Sequence, residues 1–222
     1  MICQYCKRSF VKESTLINHS CEKKRRWFEK DNPENRIAFM SYVRFYELST
    51  RTKSQKNLND FIDSKLYISF LKFGRFIIEN NIVKPEKFID YAIKANIPMK
   101  YWTDQDVIGV YIQDLYKNES IDQASSRSIE NMQKWANETD NNWTKYFESA
   151  NPNRIIRDLR SGRLSPWILY NLPWNYFKCC NSEQEKLIKD LAPMKIWKAK
   201  FQLNKDDTTI IKKTLQEIYE TV

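Results

Sequence analysis

Apolar side chains recur at three- and four-residue spacing along most of the 222-residue chain, a pattern typical of helices that bury one face. Such stretches follow a proline in the first turn at Asn32-Pro33, Lys84-Pro85, Asn151-Pro152 and Ser165-Pro166. Further helices are expected over residues 66–78, 103–115, 121–138, 182–191 and 206–220. Only three glycines occur, too few for the turns of a sheet protein of this length. The pattern predicts an all-α body, an irregular bundle of eight or more helices.

The same pattern suggests how the chain is divided. Residues 1–26, which hold three of the five cysteines and the only histidine, are expected to form a small separate module, followed by a helical domain over residues 27–222. Within that domain, residues 51–60 are polar and nearly free of apolar anchors, which favours an internal linker. No run of about 18 apolar residues occurs, so no transmembrane helix is expected. The first residues also lack the apolar core of a signal peptide.

Positive charge is concentrated in the first residues. The net charge is +9, and residues 1–30 carry eight basic and three acidic side chains. More than half of the excess therefore lies on the first seventh of the chain, as expected for an arm that faces a polyanion. A merely solubilising segment is the alternative.

Cysteine and histidine form a metal-ligand pattern within that basic segment. Two residues separate Cys3 from Cys6, and twelve separate Cys6 from His19. Phe10 and Leu16 complete the motif Cys-x2-Cys-x3-Phe-x5-Leu-x2-His. This motif resembles the classical zinc finger, the ββα module. The resemblance implies one structural zinc ion and a miniature core made by the Phe and the Leu.

The fourth ligand departs from that family, in which it follows the histidine by three to five residues. Cys21 lies only two positions after His19, and residues two apart on a helix face different sides. We therefore expect Cys21 to bind the metal only if the helix ends near Ser20. Cys179, Cys180 or a water are the alternatives. Thiolate ligands must stay reduced, which favours a cytoplasmic location.

The zinc-finger resemblance also implies a nucleic-acid surface. The family's base-contacting positions fall on Lys12, Thr15 and Asn18, and phosphate contacts are expected from Lys23, Lys24, Arg25 and Arg26. Trp27 and Phe28 either stack on unpaired bases or dock the finger on the helical body. One finger covers only about three base pairs, and fingers also bind proteins, so a protein-binding role stays open.

A second basic feature lies in the helical body. Arg154, Arg157, Arg160 and Arg163 recur at every third residue, which places them on one helical face or at its exit. We expect phosphate contacts from Arg157 and Arg160 in particular. A solvated helix face is the alternative.

No residue pattern indicates an enzyme. His19 is the only histidine, and a zinc site would use it. A glycine-rich phosphate loop is missing. Asp104 and Asp106 suit a Mg²⁺-dependent nuclease, but their place at a predicted helix start favours capping, as it does for Asp206-Asp207. Cys179 and Cys180 could form a reactive pair of thiols, but buried, unreactive thiols are the expectation.

Two segments also resemble uncharacterised proteins of T4-like bacteriophages. One is Lys12-Glu-Ser-Thr-Leu16 with His19-x-Cys21-Glu-Lys-Lys-Arg-Arg26, and the other is Ser165-Pro-Trp-Ile-Leu-Tyr170 with Trp197 and Phe201. The resemblance implies a phage protein in the cytoplasm of an infected bacterium. The function expected is a nucleic-acid-binding accessory factor in phage DNA replication, transcription or processing, with DNA as the expected partner. The alternative is an adaptor that docks its finger on a host or phage complex such as polymerase or virion machinery.

Overall fold

The computed structural model describes residues 1–49 and 55–220, and within them the protein is all-α. The helices are Glu13–Ile17 (α1), Glu22–Phe28 (α2), Pro33–Ser49 (α3), Leu58–Ile62 (α4), Tyr67–Glu79 (α5), Pro85–Lys94 (α6), Gln105–Asn118 (α7), Ile121–Thr139 (α8), Tyr146–Ser149 (α9), Pro152–Arg160 (α10), Pro166–Leu169 (α11), Ser182–Leu191 (α12), Met194–Leu203 (α13) and Lys205–Glu220 (α14). The predicted all-α class is confirmed.

The β-hairpin of a ββα finger is the part of the expected fold that does not form. Across the described residues no strand occurs, and an isolated antiparallel bridge between Ile2 and Ser9 takes its place. The turn is closed by hydrogen bonds from Cys3 N to Arg8 O at 2.9 Å and from Phe10 N to Met1 O at 2.7 Å. These few bonds join the two arms without building a ladder.

Most helices begin where the sequence predicts. Pro33, Pro85, Pro152 and Pro166 each occupy the first turn of a helix, although α11 is only four residues long. Of the predicted linker at 51–60, residues 51–54 lie outside the described residues. The rest of it is partly helical, because the Asn57 side chain accepts hydrogen bonds from the backbone N–H groups of Asn59 and Asp60 and caps α4.

The contacts divide the chain into two compact units, Met1–Asp104 and Gln105–Val222. Residues 1–26, expected from the sequence to form a domain of their own, lie within the first unit together with α3–α6. The finger is therefore to be considered with the helices that follow it.

An aromatic cluster around Trp102 forms the core of the first unit. The Trp102 ring is 1% exposed and meets Phe45, Phe70, Phe73 and Phe88 at centroid distances of 5.6–6.0 Å. Helices α3 and α5 approach closely beside this cluster at Gly74. A Cβ at Gly74 would lie 2.2 Å from the Glu34 carbonyl oxygen, so only glycine fits there.

The second unit buries charged groups among its aromatic residues. Arg127 Nη2 lies 2.5 Å from Glu119 Oε2, and both side chains are almost fully buried. Asp158 is also buried and accepts hydrogen bonds from the Tyr146 hydroxyl at 2.5 Å and from the Asn131 amide at 2.9 Å. Burial, followed by the charge of Asp158, raises the pKa of Tyr146 well above its usual value. This unit therefore encloses one ion pair, Glu119–Arg127, in its interior.

Candidate metal centre

A tight turn brings the first two cysteines together. The backbone N–H of Lys7 donates to the Cys3 carbonyl at 2.9 Å, which closes the loop around Cys6. Lys7 itself adopts a left-handed conformation with φ of 61°, a geometry that non-glycine residues rarely adopt. The turn thereby places the Cys3 and Cys6 side chains on one side of the loop.

The chain then breaks between two helices, as binding by Cys21 requires. Helix α1 ends at Ile17, and the backbone N–H of His19 donates to the Leu16 carbonyl at 3.1 Å. Cys21 has extended backbone angles, φ −114° and ψ 159°, and is the N-cap of α2. Because no continuous helix joins His19 to Cys21, their two-residue spacing does not separate their side chains.

Four ligand atoms converge at this point. The sulfur atoms of Cys3, Cys6 and Cys21 and a ring nitrogen of His19 all lie within 4.8 Å of one another. Cys6 Sγ and His19 Nε2 are 3.2 Å apart. A tetrahedral ion with metal–sulfur bonds of about 2.3 Å holds its sulfurs about 3.8 Å apart, so the group has the dimensions of a metal site.

The pKa of the Cys3 thiol is lowered, whereas the pKa of the Cys6 thiol is raised. A hydrogen bond from the backbone of Cys6, assisted by one from Tyr5, lowers the pKa of the Cys3 thiol against the effect of burial. For Cys6, a hydrogen bond from the Arg8 backbone lowers the pKa, but desolvation and the Cys3 and Cys21 thiols raise it by more. A bound metal would place positive charge beside these thiols.

The residues around the cluster hold the histidine ring in place. The Phe10 ring lies 4.6 Å from the His19 ring, centroid to centroid, and Leu16 is half-buried nearby. The Lys24 ammonium donates to the His19 carbonyl at 3.2 Å. Cys3 is 4% exposed and is the only buried residue among residues 1–30. This module has very little apolar core beneath the ligand cluster.

The two lysines that follow Cys21 on α2 contact other groups of the protein. Lys23 Nζ lies 2.7 Å from Asp63 Oδ1, and Lys24 contacts the His19 carbonyl described above. Both lysines were expected at phosphates. The partner of Lys23 could not be predicted from local sequence, because Asp63 lies forty residues further along the chain.

Arg25 and Arg26 differ sharply although they are neighbours on α2. Arg26 donates to the Ile62 carbonyl at 2.6 Å, and its guanidinium lies 4.1 Å from the centre of the Tyr67 ring. Arg25 is exposed and makes no salt bridge with a described residue. The guanidinium of Arg26, from which a phosphate contact was expected, therefore contacts the protein itself, whereas Arg25 is exposed to solvent.

The two rings of the aromatic pair that follows both contact Tyr5 but differ in exposure. Trp27 is half-buried, with its ring centroid 6.3 Å from that of Tyr5. Phe28 also meets Tyr5, at 6.1 Å, but remains 67% exposed. Tyr5, which was not among the predicted site residues, thus connects the cysteine turn to α2. Its position between the two cysteines is the feature of the sequence that indicates this role.

The predicted base-contacting residues all face solvent. Lys12 is the N-cap of α1, Thr15 lies inside this helix and Asn18 is its C-cap. With only five residues, α1 is about 7.5 Å long. In the arginine series of the second unit, Arg157 and Arg160 are exposed, while Arg154 pairs with Glu138 at 2.8 Å.

The remaining candidate residues are not members of the four-residue metal group. Asp104 precedes α7 and Asp106 lies in its first turn, and Asp206 and Asp207 occupy the first turn of α14. Cys179 is exposed and Cys180 half-buried, both in the second unit. Within the described residues, Cys21 takes the fourth position of the cluster.

No family model, curated protein or solved structure matches this chain. In the part of the chain that the structure describes, no helix has both the length and the apolar character to cross a membrane.

Proposed function

We propose that Cys3, Cys6, His19 and Cys21 bind one structural zinc ion. Three thiolates and one imidazole form a donor set that suits zinc, and four protein ligands leave no open position for catalysis. The convergence of these four ligand atoms within 4.8 Å supports the assignment. Zinc would fold a module that has too little apolar core to fold alone.

The metal-fixed finger is in turn the nucleic-acid-binding element of a DNA-binding accessory protein. One observation carries this function: Lys7, Arg8, Lys12 and Arg25 are exposed and make no salt bridge with any described residue. A small rigid module with four unneutralised cations attracts phosphates. Thr15 and Asn18 lie beside them with polar ends open to solvent.

Arg157 and Arg160 in the second unit are proposed as additional phosphate contacts, since both are exposed on α10. The resemblance to proteins of T4-like bacteriophages supports a role in phage DNA replication, transcription or processing in the host cytoplasm. No catalytic step is assigned to the protein.

Salt-dependent binding tests this function. In the zinc-loaded full chain, the triple variant Lys7→Ala/Arg8→Ala/Lys12→Ala should weaken binding to a fluorescent DNA strand. It should also reduce the slope of log K against log[salt] by about 2, since each phosphate contact contributes about 0.7–0.9 to that slope. Fluorescence anisotropy at several salt concentrations measures both.

The matched control is Lys186→Ala/Lys198→Ala/Lys212→Ala, which removes the same charge from exposed positions of the second unit. Equal losses in the two triple variants would mean that net charge alone attracts DNA. No binding by the wild-type chain at low salt would refute the proposed function.

A protein adaptor is the second candidate, and the exposed apolar side chains of the finger favour it. Val11 is 97% exposed, Ile17 67% and Ile2 63%. Exposed apolar groups of this kind mark interaction surfaces when they adjoin one another. The partner would be a host or phage complex such as polymerase or virion machinery. Such a complex would survive nuclease treatment and the triple lysine–arginine substitution, and would be lost in Val11→Ser/Ile17→Ser.

A further inference from the structure

A cavity of about 410 Å³ lies between the cysteine turn and the helices α2 and α4. It is formed within the first unit, and none of the four metal ligands lines it. Its volume falls in the range of about 300–1,000 Å³ that is usual for small-ligand sites. Gln4, Tyr5 and Lys7 contribute from the turn, and Trp27 from α2.

Two aromatic rings form one wall of this cavity. The rings of Tyr5 and Trp27 are tilted by 48° with their centroids 6.3 Å apart, so they do not stack on each other face to face. Trp27 is only half-buried, which leaves part of the indole accessible. A flat ring of this kind is a platform on which any nucleobase can stack.

The polar groups around the rings lack partners among the described residues. The side-chain amides of Gln4 and Asn59 make no hydrogen bond there, and the Lys7 ammonium makes no ion pair. A carboxamide carries both donors and an acceptor, which suits the edge of a nucleobase. Three unpartnered polar groups thus surround one aromatic wall.

The charge at the cavity is positive on balance. Of its two lysines, Lys23 is held by Asp63 at 2.7 Å, so that pair is neutral as a whole. Lys7 is exposed, and the closed cysteine turn fixes its backbone in the left-handed conformation. Its ammonium therefore remains available to a phosphate at the mouth of the cavity.

Helix α1 is too short for the contacts by which a zinc finger recognises double-stranded DNA. A finger that reads double-stranded DNA places contacts along a helix in the major groove, at helix positions −1, 3 and 6. In α1 the last of these positions, Asn18, lies beyond the end of the five-residue helix. A site for an unpaired base needs no such helix.

We infer that this cavity binds one unpaired base of a single-stranded nucleic acid, stacked on Trp27, with Gln4 and Asn59 at the base edge and Lys7 at the adjacent phosphate. This inference rests on the proposed nucleic-acid function and specifies its strandedness. Because the cysteine turn carries Gln4, Tyr5 and Lys7, the site depends on the metal-bound conformation of the finger.

The sharpest test leaves the protein unchanged and alters the nucleic acid. Anisotropy of the zinc-loaded full chain is compared for a labelled oligothymidylate, for an abasic strand with the same number of phosphates, and for a duplex of equal length. Loss of one stacked base should weaken binding about tenfold. The thymidylate is expected to bind about tenfold more tightly than the abasic strand, and more tightly than the duplex per phosphate. An oligouridylate arm distinguishes RNA from DNA as the source of the base.

Substitutions of residues that line the cavity test whether the preference for bases arises there. Trp27→Leu should lose the preference for bases over the abasic strand, while Trp27→Phe should keep most of it, because phenylalanine still stacks. Gln4→Ala/Asn59→Ala should reduce the preference severalfold, with Tyr101→Leu, an exposed aromatic of the first unit outside this cavity, as the control. Zinc content and thermal melting establish that each variant is folded.

The outcomes separate the two proposals. Binding of thymidylate that exceeds abasic binding and depends on Trp27 supports the cavity. If the wild-type chain binds strands and duplex with equal affinity per phosphate, or if Trp27→Leu keeps the base preference, the cavity is refuted while the nucleic-acid function stands. If the wild-type chain binds none of the probes, both proposals fall.

Discussion

The first thirty residues and the second unit reach a defined structure by different means. Cys3 is the only buried residue among the first thirty, and α1 and α2 bury none. The second unit, in contrast, encloses Trp167 and Trp197, whose rings meet at 6.0 Å. A module without a core needs cross-links, whereas a segment rich in buried aromatics folds on apolar area. The comparison indicates that a metal matters for the finger and not for the second unit.

The two regions also treat charge differently. Exposed cations remain on the finger surface, at Lys7 and Lys12 for example. The second unit encloses the pair Glu119–Arg127, with the Ser165 hydroxyl donating to Glu119 as well. Surface charges contribute little to folding, while removal of one partner from a buried pair is costly. The finger therefore leaves cations exposed, whereas the second unit encloses an ion pair on which its stability should depend.

The largest effect on stability is expected when the buried Glu119–Arg127 pair is broken. Glu119→Gln should lower the free energy of unfolding of the second unit by about 3–5 kcal/mol, because it leaves the Arg127 guanidinium buried without a counter-charge. Chemical denaturation followed by far-UV circular dichroism measures the loss.

The control for that test is Glu148→Gln. Its partner Lys145 Nζ lies 3.3 Å from Glu148 Oε2, and both side chains are more than a third exposed. This exposed pair should contribute about 0–1 kcal/mol. Similar losses in Glu119→Gln and Glu148→Gln would contradict the view that the second unit relies on buried charge.

A smaller effect is expected where the finger meets the helices of the first unit. Arg26→Met should lower the free energy of unfolding by about 2 kcal/mol, since it removes a charged hydrogen bond to Ile62 O and the contact with the Tyr67 ring. Its neighbour provides the comparison: Arg25→Met should change stability by less than about 0.5 kcal/mol. Thermal melting of both variants checks the difference, and equal shifts would show that Arg26 does not anchor the finger.

Much of the fold could be predicted from local sequence. Proline in the first turn and helical apolar spacing located α3, α6 and α10, because each signal lies within the helix that it predicts. Helix α13 was missed, and its face is irregular, with Leu203 85% exposed and Trp197 buried. The hairpin of the finger was predicted from family resemblance and did not form, since the turn makes only a bridge at Ile2 and Ser9.

In the candidate site, too, local features could be predicted from the sequence, whereas contacts between distant residues could not. Ligand spacing indicated Cys3, Cys6 and His19, and Cys21 was expected only if the helix ends near Ser20. The cluster brings the four together. The surroundings of the basic segment could not be predicted, because they depend on contacts between distant parts of the chain. Ile62 is thirty-six residues from Arg26, and no local signal connects them.

The central claim is that zinc orders the finger and leaves the second unit unaffected. The direct measurement is amide hydrogen exchange by mass spectrometry before and after zinc is chelated, with the metal content determined on the same sample. We predict one zinc per chain, and after chelation a loss of protection confined to residues 1–28 with residues 105–220 unchanged. A chain that binds no zinc, or a finger whose protection survives chelation, would contradict the account.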